Sequence, residues 1–142
     1  MIDFLPLLVW PRFELPLLTI LTYHRVMPAP NALRPGEAHA EMFDRQMAFL
    51  ARYFSVMPLD EAVTAIQDGT LPKRACCITF DDGYADNLTV AQPILARHRL
   101  PATVFVATAY IDGGRMFNDS VIELVGNIAG TVLDLGALKL GV

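Results

Sequence analysis

Ala75-Cys76-Cys77-Ile78-Thr79-Phe80-Asp81-Asp82-Gly83 is an apolar run of strand length that stops abruptly on two carboxylates and a glycine. A run without polar alternation is the pattern of a parallel strand covered on both faces, since each face must then present hydrophobic side chains. Parallel strands are joined by crossovers, usually helical. The sequence on either side reads that way. Upstream, Leu17-Leu18-Thr19-Ile20-Leu21-Thr22-Tyr23 follows Pro16 as a second strand, and residues 27–37 form a loop rich in Pro and Gly. Phe43, Met47, Leu50 and Phe54 then recur at intervals of four, three and four, which lays one apolar stripe along a helix over residues 41–54. Asp60 is read as the N-cap of a second helix through Ile66, with Gly69 as its stop before Pro72.

Downstream, a helix is expected over residues 86–99. Pro93 falls inside it, which predicts a kink near Thr89, whose carbonyl would lose its partner. Residues 102–106 read as the next strand, and Asn118 as the cap of a helix carrying Val121, Leu124, Val125 and Ile128 on one side. Residues 131–142 repeat Leu and Gly without a clear period. Neither a repeat nor a linker divides the chain, so residues 1–142 read as one α/β domain with a parallel sheet. In such sheets binding sites lie at the carboxyl ends of strands, where Asp81 and Asp82 sit.

Composition sets outer bounds. With 142 residues, 54% hydrophobic and 18% charged, the chain has the make-up of a folded domain rather than of a disordered one. A formal charge of −4, with no cluster of Lys and Arg, gives no attraction for nucleic acid or anionic lipid. The apolar opening, residues 1–21, is interrupted by Pro6, Pro11 and Pro16 and by Asp3, Arg12 and Glu14. It does not make a membrane-spanning helix, and Asp3 takes the place of the positive start of a signal peptide. A mature, cytoplasmic segment is the reading this favours. Cys76 and Cys77 are adjacent in a strand, so their side chains point to opposite faces and cannot bridge one another. Their expected role is as small buried hydrophobes.

Two neighbouring carboxylates at the end of a buried strand repel each other and lose hydration, so a proton or a cation is expected to offset that cost. A divalent ion held by one of them would leave the other as a base for an activated water. Gly83 permits the sharp exit from the strand. A polar turn built from ordinary turn residues explains the same three positions equally well. A magnesium-holding phosphoryl-acceptor site is a further alternative, although that type places its acids after the first strand.

Ile78-Thr79-Phe80-Asp81-Asp82-Gly83-Tyr84 resembles the first signature motif of the polysaccharide deacetylases, the NodB-homology family. The resemblance continues through Ala85-Asp86-Asn87 and Leu100-Pro101-Ala102-Thr103-Val104-Phe105-Val106, and Thr22-Tyr23-His24-Arg25-Val26 is similar to the first strand of one branch. It implies a distorted (β/α) barrel, here partial and cut short before its C-terminal half. It also implies a metal-dependent hydrolase that removes N-acetyl groups from a polysaccharide or amino sugar. Asp81 matches the general base and Asp82 a ligand of a divalent metal, zinc or a similar ion. The substrate implied is an N-acetylated polysaccharide or oligosaccharide.

The family's metal site also takes two histidines three residues apart, and this sequence has only His24, His39 and His98. His98 stands a dozen residues along a helix from the acids, ~18 Å away at a rise of ~1.5 Å per residue, and is read as a helix C-terminal cation or a surface residue, not a ligand. His39, in a polar approach to a helix, is read as solvated. His24 follows the first strand and would emerge beside Asp82. It is either a satisfied strand-end histidine or a residue touching substrate or metal water. Tyr84 either lines the cleft or packs, and residues 115–119 form a loop at the same mouth. A catalytically inactive fragment or carbohydrate-binding remnant is the alternative function.

Overall fold

The computed structural model describes residues 17–127. Its elements, in chain order, are β1 (Leu18–Tyr23), β2 (Val26–Met27), β3 (Ala38–His39), α1 (Ala40–Tyr53), β4 (Ser55–Val56), α2 (Leu59–Gln67), β5 (Ala75–Phe80), a π-turn (Asn87–Ala91) running into α3 (Gln92–His98), β6 (Thr103–Val104), a 3-10 turn (Thr108–Tyr110) and α4 (Phe117–Gly126). β5 is the central strand. It pairs in parallel with β1 along its whole length, from Leu18 opposite Ala75 to Tyr23 opposite Phe80. On its other edge β4 pairs with its start and β6 with its end, both parallel. The α/β class and the parallel sheet expected from the sequence are therefore present.

Every residue of β5 is buried, as its unbroken apolar pattern requires. Cys76, Ile78 and Phe80 face a core shared with Phe43, Met47 and Leu50 of α1 and Ile94 and Leu95 of α3. Ala75 and Cys77 face a second cluster containing Ala62 of α2 and Leu71. The adjacent cysteines thus serve opposite cores, and both are free. Burial, with the neighbouring Cys77 adding to it, pushes the Cys76 thiol up to about 11, so it packs as a neutral hydrophobe. Near the strand ends Tyr23 stacks on Phe80 and meets Phe43 edge-on, with ring centroids 5.6 and 5.1 Å apart. Such aromatic pairs add about 0.5–1.5 kcal/mol each beyond area burial. Tyr23 also donates its hydroxyl hydrogen to Gln46 Oε1 at 3.0 Å.

Several local expectations need correction. Asp60 is not an N-cap: Pro58 takes that position, and Asp60 lies in the first turn of α2, where its charge meets the positive end of the helix dipole. The far end of α2 does stop at Gly69, whose φ is 67°. There the Gly69 and Thr70 amides donate to the carbonyls of Ile66 and Ala65, which closes the helix in a left-handed turn. Asn118 is likewise inside the first turn of α4, and Met116 is the cap. The strand expected over residues 102–106 is reduced to Thr103–Val104. His39 is half-buried in β3, paired with Met27, rather than solvated. His98 closes α3, at the helix C-terminus expected for it, and its Nε2 lies 2.8 Å from Asp44 Oδ1 on α1.

The break in regular winding expected near Thr89 takes the form of a π-turn, in which the chain widens before Pro93 and the Gln92 amide reaches back five residues to the Asn87 carbonyl. Proline has no N–H to give, and loosening the preceding turn removes the demand for one. Thr89 Oγ1 donates to the Ala85 carbonyl at 3.1 Å within the same stretch. The readings of residues 1–16 and 128–142, Ile128 included, lie outside the described residues. Within 17–127 no helix is long and apolar enough to cross a membrane.

Candidate functional site

β5 delivers the acidic pair to the carboxyl end of the sheet. The Asp81 amide donates to the Tyr23 carbonyl at 2.8 Å and so extends the β1–β5 ladder by one step. Asp82 then turns into the left-handed region at φ 72°, and Gly83 follows at φ 71°. Two successive left-handed residues reverse the chain out of the strand, with Asp tolerating that region better than most side chains. The turn is locked from below, because the Ala107 amide donates to the Asp82 carbonyl at 3.2 Å. A Cβ on Gly83 would stand 3.2 and 3.3 Å from the two γ-methyl groups of Val106. Sequence reasoning placed the turn at Gly83; the left-handed Asp82 was not legible, since Asp is not marked for that conformation as Gly is.

Beside this turn lies a cleft of about 570 Å³. Asp82 and Tyr84 line it, together with Arg25, Arg34 and Asp119, whereas Asp81 and His24 do not. His24 is exposed, and its carbonyl accepts a hydrogen bond from Asn87 Nδ2 at 3.0 Å. Of the two readings of Tyr84, the cleft-lining one fits its position, and its ring is also covered by the Arg25 guanidinium 4.4 Å from the centroid.

Arg25 organises the floor. Its Nε donates to Asp86 Oδ2 at 2.8 Å, its Nη2 lies 2.8 Å from the same oxygen, and its Nη1 lies 3.5 Å from Asp119 Oδ1. Asp86 is buried, and its Oδ1 accepts from the Val26 amide at 3.1 Å and from Asn87 Nδ2 at 3.4 Å. Asp119 is buried as well and is bound by Arg34 Nη2. Burial alone would raise the Asp119 carboxyl, but hydrogen bonds from Arg34 and Tyr84 and the charges of Arg34 and Arg25 outweigh it and hold the group below the usual carboxylate range. With a depressed folded value, the stability this pairing contributes is present above the unfolded carboxylate pKa and is lost as pH falls through the lower, folded one. Burial, and then the hydrogen bond with Asp119, keep the Tyr84 phenol up and so neutral. Arg34 reaches the cluster from the Pro-rich loop, whose turns are fixed by its amide donating to the Asn31 carbonyl and by the Glu37 amide donating to its own.

Sequence reasoning did not single out Arg25, Arg34 or Asp86 as site residues. Arg25 and Asp86 stood within stretches already quoted for their resemblance, and an arginine directly after a strand end was the available signal. Arg34, in an irregular loop, carried none.

The family model of polysaccharide deacetylases matches residues 68–127, the span holding β5, the acidic turn and the helix that follows. Over these residues the chain belongs to the polysaccharide deacetylase family. The polysaccharide deacetylase homologue YxkH of Bacillus subtilis (strain 168) is 33% identical over 100 residues, a match that takes in 68% of this chain and 34% of YxkH. The chain therefore spans about a third of that relative. Among solved structures, the chain is similar to the de-N-acetylase from Aggregatibacter actinomycetemcomitans, with a TM-score of 0.60 and 25% identity over 68% of this chain and 40% of that one. IcaB from Ammonifex degensii gives a TM-score of 0.54 at 27% identity, covering 63% of this chain and 37% of that one. The Streptococcus pyogenes deacetylase PplD, solved in complex with acetate, shares the fold with a TM-score of 0.58 at 23% identity, over 78% and 54% of the two chains.

Proposed function

We propose that this chain supplies the strand-end acidic pair of an enzyme that removes N-acetyl groups from an N-acetylated polysaccharide or oligosaccharide. The observation that carries the reading is the position of Asp81-Asp82-Gly83 at the carboxyl end of the central strand, beside a cleft, inside the stretch that matches the deacetylase family. The fold it belongs to is a distorted (β/α) barrel, of which these elements are a part. In the reaction a water attacks the acetamide carbonyl, the carbonyl–nitrogen bond breaks, and acetate and a free amine leave. Asp81 is the base that takes the water's proton on a carboxylate oxygen. Asp82 offers one oxygen ligand to a divalent ion such as zinc. Among the described residues no group of three or more His, Cys, Asp or Glu is placed to hold a metal. These residues therefore do not by themselves fit the ion. Tyr84 and His24 are proposed to meet the sugar or to stand behind the residues that do.

That incomplete donor set favours a second reading, a non-catalytic carbohydrate-binding remnant of the same fold. The two separate on acetate release from an N-acetylated oligosaccharide, measured beside zinc calorimetry. Enzyme function predicts release that Asp81→Asn lowers by about 100-fold or more and zinc binding that Asp82→Ala abolishes. Sugar binding with neither acetate release nor zinc uptake would sink the enzyme reading.

A further inference from the structure

α4 is built inside out. Most of its apolar residues face water, with Phe117 80%, Leu124 64% and Val125 50% exposed and Ile122 partly buried, while the charged Asp119 on the same helix is 7% exposed. An amphipathic helix is normally held by its apolar stripe. Among the described residues the stripe of Val121, Leu124 and Val125 is exposed, and apolar contact to α4 is confined to the side of Ile122 and Gly126 near Leu33. The buried side chain of the described helix is polar, Asp119. Asp119 is gripped by Arg34 and approached by Arg25, and Tyr84 reaches Met116 just before the helix, its hydroxyl 3.3 Å from the sulfur. The two arginines and the acids Asp86 and Asp119 form a neutral cluster in which Arg25 is already satisfied by Asp86. Only Asp119 comes from α4; the other three charges belong to the body of the domain.

We infer that Asp119 is an ionic latch, which seats α4 and the preceding turn as the second wall of the cleft and frees them as a unit when its charge is removed. Breaking one partner of a buried ion pair leaves the other charge uncompensated, so release is favoured locally. Local opening of such a segment is read by amide exchange and needs no assumption about the chemistry of the cleft.

The test compares hydrogen–deuterium exchange of the protein with that of Asp119→Asn, Arg34→Gln and Leu124→Ser. The latch predicts that Asp119→Asn and Arg34→Gln speed exchange of the α4 amides by about tenfold or more, while the β1 and β5 amides keep their protection. Leu124→Ser should leave α4 as it was. If Asp119→Asn does not fold, Arg34→Gln carries the test, because Arg25 still faces Asp119 there. Unchanged α4 exchange in the charge variants would overturn the latch. So would equal loosening of β5, which would make the cluster a support of the whole fold, and so would Leu124→Ser loosening α4 as strongly as the charge variants, which would make apolar contact its anchor.

Discussion

At the scale of single residues the acidic turn is the most constrained point of the chain. Asp82 and Gly83 are both left-handed, and Gly83 faces Val106 so closely that even a methyl group would crowd it. Gly83→Ala therefore meets two penalties, a disfavoured backbone region and a contact tighter than ordinary packing. We expect it to lower stability by about 1–3 kcal/mol in urea unfolding. A change within about 0.5 kcal/mol would mean that the turn relaxes freely. The acids themselves were legible because an apolar strand stopping on two carboxylates is unusual chemistry. Arg34 and Asp119 were not, because their meaning lies in a meeting across 85 residues of chain that no local pattern announces.

Among the elements, β5 and α1 were read closely from pattern alone. Six consecutive buried residues leave few alternatives to a central parallel strand, and the α1 stripe at Phe43, Met47 and Leu50 is the face that the structure buries. Phe43 is fully buried and touches both Tyr23 and Phe80. Its truncation to Ala should cost about 3–5 kcal/mol, seen as a drop in the urea midpoint, whereas Phe49→Ala on the exposed side of the helix should cost far less. Similar losses for the two would refute this assignment of faces. Caps were read less well. At α2 and α4 an Asp and an Asn stood within the first turn, two residues from the true cap, and side chains of these types satisfy amides or dipoles from either place. The stripe on α4 was read only as one side of a helix, and Val121, Leu124 and Val125 on it are exposed, since periodicity reports a face and not what covers it.

At the scale of the whole molecule, the described residues cover the sheet unevenly. α1 and α3 pack one face and α2 the other, while Ile20 on β1 at one side of β5 and Val104, Phe105 and Val106 at and after β6 on the other side remain about half exposed. Exposed apolar groups beside strand edges are association surfaces. Residues 17–127 should therefore bind a hydrophobic dye while natively folded and associate as concentration rises. Phe105→Lys should weaken both, with sedimentation velocity as the check; a monomer at all concentrations would rule out this account of the edge.

The π-turn before α3 bears on how the chain can tolerate change. A turn that reaches back five residues instead of four holds one residue more than an ordinary helix would, and each helical residue advances the azimuth by about 100°. Deleting a single residue between Leu88 and Ala91 would restore regular winding and leave Asp86 and Asn87 on nearly the same bearing relative to Ile94 and Leu95, because the wide turn already absorbs that residue. Asp86 would still face Arg25, but Pro93 would then sit inside ordinary winding, where its ring meets the carbonyl four residues back. A one-residue gap there should therefore cost helix stability without turning the cluster beneath the cleft.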